Sequence, residues 1–136
     1  MLGVDDNTKF VWIEVTDAAI VIIINEEDKV LLLKRMEPQR DFAGYWGFPG
    51  GGVHKDEALE QCATRETKEE TELDISDLKY VGTERGFVWV YTTRNYTGNV
   101  KLDFEHTDYA WVSRDELPIY KVIPGTERLV EEAMKL

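Results

Sequence analysis

The stretch Gly50–Leu73 reads GGGVHKDEALEQCATRETKEETEL, and three of its glutamates decide how the chain folds and what it can do. At about 100° per helical residue, Glu69 falls about 60° to one side of Glu66 and Glu70 about 40° to the other, so all three share one side of a helix. Leu59, Cys62 and Ala63 lie on the arc of Glu66 and Glu70. The acids therefore continue an apolar stripe. Carboxylates turned inward are stable only when paired or bound to a cation. Hard oxygen donors suit Mg²⁺, with Mn²⁺ as the alternative, and such ions bridge protein carboxylates to substrate phosphates. The competing reading is a solvated acidic face. Glu60 and Glu72 fall off the stripe and fit it; Glu66 and Glu70 do not.

Working outward, Pro49 followed by Gly50, Gly51 and Gly52 predicts a sharp turn whose backbone N–H groups a ligand can approach. Asp56 is the expected cap of a helix over 57–71. Upstream, Ala18–Ile24 and Val30–Leu33 are dense in β-branched and aliphatic residues around a polar connection, which predicts a hairpin with its first strand starting as early as Phe10. Residues 1–9 read as a loose lead-in and 36–45 as a surface loop, and Trp46–Phe48 as a short strand. Downstream, strands are expected over 78–84, 86–93, 100–104 and 109–112, with a tight connection at Arg85-Gly86 and a turn over 95–99. Ser113–Pro118 reads as one capped helical turn. Leu129, Val130, Ala133 and Met134 recur at helical spacing in a closing amphipathic helix. Strands, a central helix, strands and a last helix predict one α/β domain with a mixed sheet covered by helices.

The totals set bounds. The chain has 136 residues, 43% of them apolar, and a formal charge of −11. That charge argues against stable nucleic-acid partners and anionic membranes, and leaves a small phosphorylated substrate open because a bound metal reverses the local field. A single cysteine, Cys62, excludes an internal disulfide and fits packing in a reducing compartment. The longest apolar run is too short to span a bilayer, and no secretion signal is read, so a cytoplasmic location is expected.

These residues resemble the Nudix box: Gly, five residues, Glu, seven residues, then Arg-Glu-aliphatic-x-Glu-Glu-x-Gly-aliphatic. Gly51, Glu57, Arg65, Glu66, Glu69, Glu70 and Leu73 all fall in place. Thr67 replaces the aliphatic residue, and Glu72 replaces the glycine that supplies a left-handed helix cap. The similarity extends to Val30–Arg35, to Trp46–Gly51 and to the later Glu105–Pro118 region. It implies an α/β/α sandwich over a single Nudix domain, 1–136, and a metal-dependent hydrolase that cleaves pyrophosphate links in nucleoside diphosphate derivatives.

By carry-over, Glu66, Glu69, Glu70 and the Gly51 carbonyl would ligate the metal, and Arg65 would orient the acids through Glu57. Glu69, Glu70, Arg65 and Glu105 form the expected catalytic set. Glu105 is the candidate base for the attacking water, with a box glutamate, Asp103 and Asp108 as rivals. His54 and His106 read as exposed loop residues. The substrate side is assigned to Arg35, Phe48, Gly50, Gly51 and Tyr91. Arg35 follows a strand and can meet a phosphate; Tyr91 stands where members cleaving dinucleoside polyphosphates carry tyrosine. The first expectation for the substrate is a free nucleoside triphosphate, oxidised ones included, giving monophosphate and pyrophosphate. Dinucleoside polyphosphates, ADP-ribose and nucleotide sugars are alternatives, as is capped RNA, and a noncatalytic nucleotide-sensing module is the alternative of another class. Homodimerisation is common among relatives but is not read from these residues.

Overall fold

Strand-forming runs meet here in a four-stranded and a three-stranded sheet with two further strand pairs, seen in a computed structural model that describes residues 2–4, 10–12, 16–36 and 42–136. The first strands, β1 (Leu2–Val4) and β2 (Phe10–Trp12), pair antiparallel. The expected lead-in, residues 1–9, lies outside the described residues except for β1, and the strand near Phe10 is separate from the next one. The expected loop over 36–45 is described only at Met36 and from Phe42 onward.

The hairpin expected around 25–29 closes only at its tip. There β3 (Ala18–Ile23) and β4 (Val30–Arg35) are joined by an isolated antiparallel bridge, Ile24 to Val30. The strands then part into different sheets. β3 takes β9 (Val88–Thr93) as a parallel neighbour and β6 (Gly50–Gly52) as an antiparallel one, and β8 (Lys79–Glu84) completes the order β6-β3-β9-β8. β4 pairs instead with β5 (Trp46–Gly47) and β11 (His106–Val112). The segment 46–52 thus crosses from one sheet to the other. The three glycines form an edge strand rather than the expected turn. Gly50 must be glycine because a side chain there would meet the Ala19 carbonyl at 2.3 Å.

Strand alternation sorts the apolar residues into two cores. Ile22, Val30, Leu32, Val90 and Val112 face α2 (Thr126–Ala133), which adds Leu129, Val130 and Ala133. Ala19, Val21, Ile23, Leu31 and Leu33 face α1 (Leu59–Thr71), which adds Cys62 and Ala63. Sheets with a helix on each face make the expected α/β/α sandwich. Each fully buried aliphatic side chain contributes about 1.5–3 kcal/mol by leaving water.

α1 begins two residues later than expected. Asp56 does not cap it; Ala58 is the capping position, and the Gln61 side chain accepts its N–H at 2.9 Å. It ends on Glu72 with φ 62°, so the left-handed cap forms without glycine. Residues 95–97 form β10 (Asn95–Thr97), paired with β7 (Asp74–Ser76), instead of a turn. The expected strand over 100–104 is absent because its backbone serves the end of α1: Lys101 N–H donates to Thr71 O, and Asp103 N–H to Glu70 O. The Arg85-Gly86 connection and the turn of 3₁₀ helix after Ser113 (Arg114–Ile119) stand as expected. Among the described residues, no helix is long and apolar enough to cross a membrane.

Candidate active site

Because β3 and β4 diverge from Ile24 and Val30, the gap between the sheets is widest near Ala18 and Arg35. A cavity of about 550 Å³ occupies this wide end, lined by Ala18 and Ile20 from one sheet and Leu33 and Arg35 from the other. Its size suits a small-molecule ligand. Glu66, Glu69, Glu70, Arg65, Glu105 and His106 line it, together with Phe42, Phe48 and Phe87.

All three box glutamates line this cavity, each held differently. Arg65 holds two of them. Its guanidinium makes a two-bond fork to Glu57, at 2.7 and 2.9 Å, and also donates to Glu66 at 3.0 Å, Glu69 at 3.2 Å and the Gly52 carbonyl at 3.1 Å. This fork and the His54 N–H lower the Glu57 carboxyl to about 2. Glu66 lies under the glycine strand: a side chain at Gly51 would meet its carboxylate at 2.5 Å. Burial raises the Glu66 carboxyl above the usual range, although Arg65 opposes this. Glu69 is half-exposed, with a side-chain exposure of 55%, and so does not turn inward with the others.

Glu70 is 4% exposed, and the Gly50 N–H donates to it at 2.9 Å. Burial pushes its carboxyl up to about 8, against that hydrogen bond and with help from the charges of Glu66, Asp103 and Glu105. Asp103 and His106 complete its surroundings. One ligand atom from each of Glu70, Asp103 and His106 lies within 4.8 Å of the others, and His106 Nδ1 stands 2.8 Å from Asp103. His106 is 8% exposed and starts β11 opposite Arg35, so it is not the exposed loop residue expected. A buried carboxylate short of compensating charge, with further oxygen and imidazole donors beside it, fits a divalent cation.

The remaining expected residues divide. Arg35, Phe48, Gly50, Gly51 and Glu105 line the cavity. The Gly51 carbonyl faces the Cys62 thiol at 3.4 Å. Tyr91 lies in the α1-side core, 6% exposed, with its ring centroid 5.9 Å from that of Tyr80, and is not among the cavity residues. On strand alternation it faces away from the cavity-lining neighbours Val88 and Val90 belong with. Sequence reasoning missed Glu84, Ile123, Pro124 and Thr126, which close the far wall. Glu84 read only as the end of a strand, and 123–126 as the lead into the last helix.

The cavity extends across the sheet. Gly52, Ala18, Val88 and Glu84 stand in one row over four strands, so Glu84 is three strand spacings, about 14 Å, from the glycine strand. Carboxylates gather at the glycine end; Phe87, Val88 and Leu129 line the other.

The chain matches the NUDIX domain model over residues 15–133. It is 30% identical over 124 residues to the CTP pyrophosphohydrolase of Escherichia coli, covering 86% of this chain and 91% of that one. It is 29% identical to the nucleoside triphosphatase NudI of an Escherichia coli strain, covering 78% of this chain and 88% of that one. The crystal structure of a MutT protein from Methanosarcina mazei superposes with a TM-score of 0.74 at 30% identity, over 88% of this chain and 93% of that one.

Proposed function

The chain belongs to the NUDIX family of pyrophosphohydrolases, which require a divalent metal, and on that premise we propose that it hydrolyses nucleoside triphosphates to a monophosphate and pyrophosphate. One observation carries this reading: a single cavity joins buried carboxylates beside the glycine strand to the aromatic and aliphatic side chains of Phe87, Val88 and Leu129. The first end suits a metal-bound phosphate chain, and the second a base. Relatives named for CTP and for nucleoside triphosphates support the same class. Tyr91, the marker for dinucleoside polyphosphates, packs in the core with Cys62 and Ala63, which supports a triphosphate over that class.

In this mechanism Glu66, Glu69 and Glu70 would hold the ion, taken as Mg²⁺ with Mn²⁺ as the alternative. Such an ion would neutralise charge on phosphate oxygens and lower the pKa of the attacking water. Arg65 fixes Glu66 and Glu69 from behind, and the Gly50 N–H fixes Glu70. Arg35 takes a phosphate oxygen, and Phe48 borders the substrate. Glu105 receives the proton of the water that attacks phosphorus, while the bond to the departing pyrophosphate breaks. Asp103 and the His106 imidazole, beside the buried Glu70, offer further donors that fit such an ion.

The test is a panel of nucleoside triphosphates, oxidised guanine nucleotides, dinucleoside polyphosphates, ADP-ribose and nucleotide sugars with Mg²⁺, with products identified. Monophosphate and pyrophosphate from triphosphates are expected, lost in Glu70→Gln. Faster turnover of ADP-ribose or dinucleoside polyphosphates overturns the substrate class, and tight binding with no phosphate release overturns catalysis.

A further inference from the structure

We propose that Glu84 reads an exocyclic amino group on the substrate's base, so that the site prefers amino-bearing bases such as cytosine to uracil. This deepens the reading of the cavity as a nucleoside triphosphate site and rests on it.

Placement comes first. Glu84 pairs directly with Val88, and directly opposed residues of an antiparallel pair put their side chains on one face of the sheet. Val88 lines the cavity, and so does Glu84. Three strand spacings separate it from the glycine strand beside the carboxylates, a reach that runs from the reacting phosphate across a ribose to the outer edge of a base.

The carboxylate is also held in place. Its Oε1 accepts a hydrogen bond from Arg128, one turn into α2. Oε2 lies 3.7 Å from the point where a side chain at Gly125 would begin, so the glycine leaves room beside that oxygen. The Thr126 hydroxyl is turned away, donating to the Ile123 carbonyl at 2.6 Å. The Phe87 ring lines the same cavity as Glu84, with the Arg85 guanidinium 5.7 Å from its centroid. A base against that ring would lie in reach of Glu84.

Chemistry then selects the base. An ionised carboxylate only accepts hydrogen bonds. Cytosine offers an amino donor at the position where uracil offers a carbonyl oxygen, so uracil sets acceptor against acceptor. Specificity gains from this repulsion as well as from the attraction. The plain alternative is that Glu84 and Arg128 merely pin the β8–β9 hairpin to α2, as surface ion pairs do with little effect.

The experiment compares kcat/KM for CTP, UTP and N4,N4-dimethyl-CTP with Mg²⁺ in the wild type, Glu84→Ala and Glu84→Gln. A hydrogen bond to a charged group sets the expected CTP preference at about tenfold to a hundredfold, with the dimethyl analogue tracking UTP. Glu84→Ala reduces the CTP/UTP ratio at least about fivefold, and Glu84→Gln, whose amide can rotate to donate, moves it toward UTP. The ratio is taken within each variant, so a general loss of folded protein cancels. Equal CTP and UTP rates in the wild type, or a ratio that neither substitution moves, overturns the role of Glu84 alone. Failure to cleave any nucleoside triphosphate overturns the nucleotide reading and this inference together.

Discussion

Glu70 is a buried acid whose charge the metal-free protein handles poorly, and pH exposes that weakness. Its carboxyl is raised from an ordinary 4.5 to about 8 by burial. The folded state therefore binds the proton more tightly than the unfolded chain does. The resulting stability is fully present below pH 4.5 and is lost as pH rises through 8. At about 1.4 kcal/mol per pH unit the loss has an upper bound of about 5 kcal/mol, and relaxation of Asp103 and His106 around the charge reduces it. Urea denaturation in chelator should show wild-type stability falling between about pH 5 and pH 9. Glu70→Gln keeps the oxygen that accepts the Gly50 N–H and carries no charge. It should lose much of that pH dependence and exceed the metal-free wild type in stability above pH 8, although catalytically dead. Mg²⁺ should reverse the order by stabilising the ionised wild type. Calorimetry near neutral pH should then register close to one proton released per ion bound. A stability difference between wild type and Glu70→Gln that stays constant from acid to alkaline pH would refute the reasoning.

Four further substitutions test the frame around it. Gly50→Ala and Gly51→Ala should behave oppositely: a side chain at Gly50 strikes the backbone of β3, costing more than about 2 kcal/mol in denaturation, whereas one at Gly51 strikes the movable end of Glu66, leaving stability within about 1 kcal/mol and weakening Mg²⁺ binding about tenfold or more in calorimetry. Arg65→Lys cannot grip Glu57 with two bonds while holding Glu66 and Glu69, so kcat should fall about 10- to 100-fold with an unchanged circular dichroism spectrum. Glu72→Gly removes a side chain from left-handed backbone, φ 62°, and should raise stability by about 1 kcal/mol in the same denaturation assay.

Legibility in the sequence followed how local the cause was. α1, α2 and strands β3, β4 and β9 are readable because periodicity and β-branched density act within a few residues. The glycine strand is not: Pro49 and three glycines signal a turn, and only the close Ala19 backbone shows why a strand must lack side chains there. Residues 100–104 carry strand-forming side chains, yet their N–H groups find helix-end carbonyls. Such competition between partners is a tertiary matter. At the site, the box spacing places Arg65 and the glutamates in one neighbourhood, but it does not reveal that Arg65 donates to Glu66 and Glu69 while the Gly50 N–H serves Glu70. His106 shows the same limit. A histidine at a loop end becomes a buried cavity residue only because β11 pairs with β4 and sets it opposite Arg35.

The wedge between β3 and β4 has an apex and a mouth with separate duties. At the apex, Asn25–Lys29 is a tight turn: the Asn25 side chain accepts from the Glu27 and Lys29 N–H groups, Asp28 pairs with Arg94, and none of these residues lines the cavity. Labels, fluorophores or short peptide insertions placed at Glu26 or Glu27 are therefore insulated from chemistry at the opposite rim. That makes the apex the natural handle for immobilising or tracking this enzyme while it works.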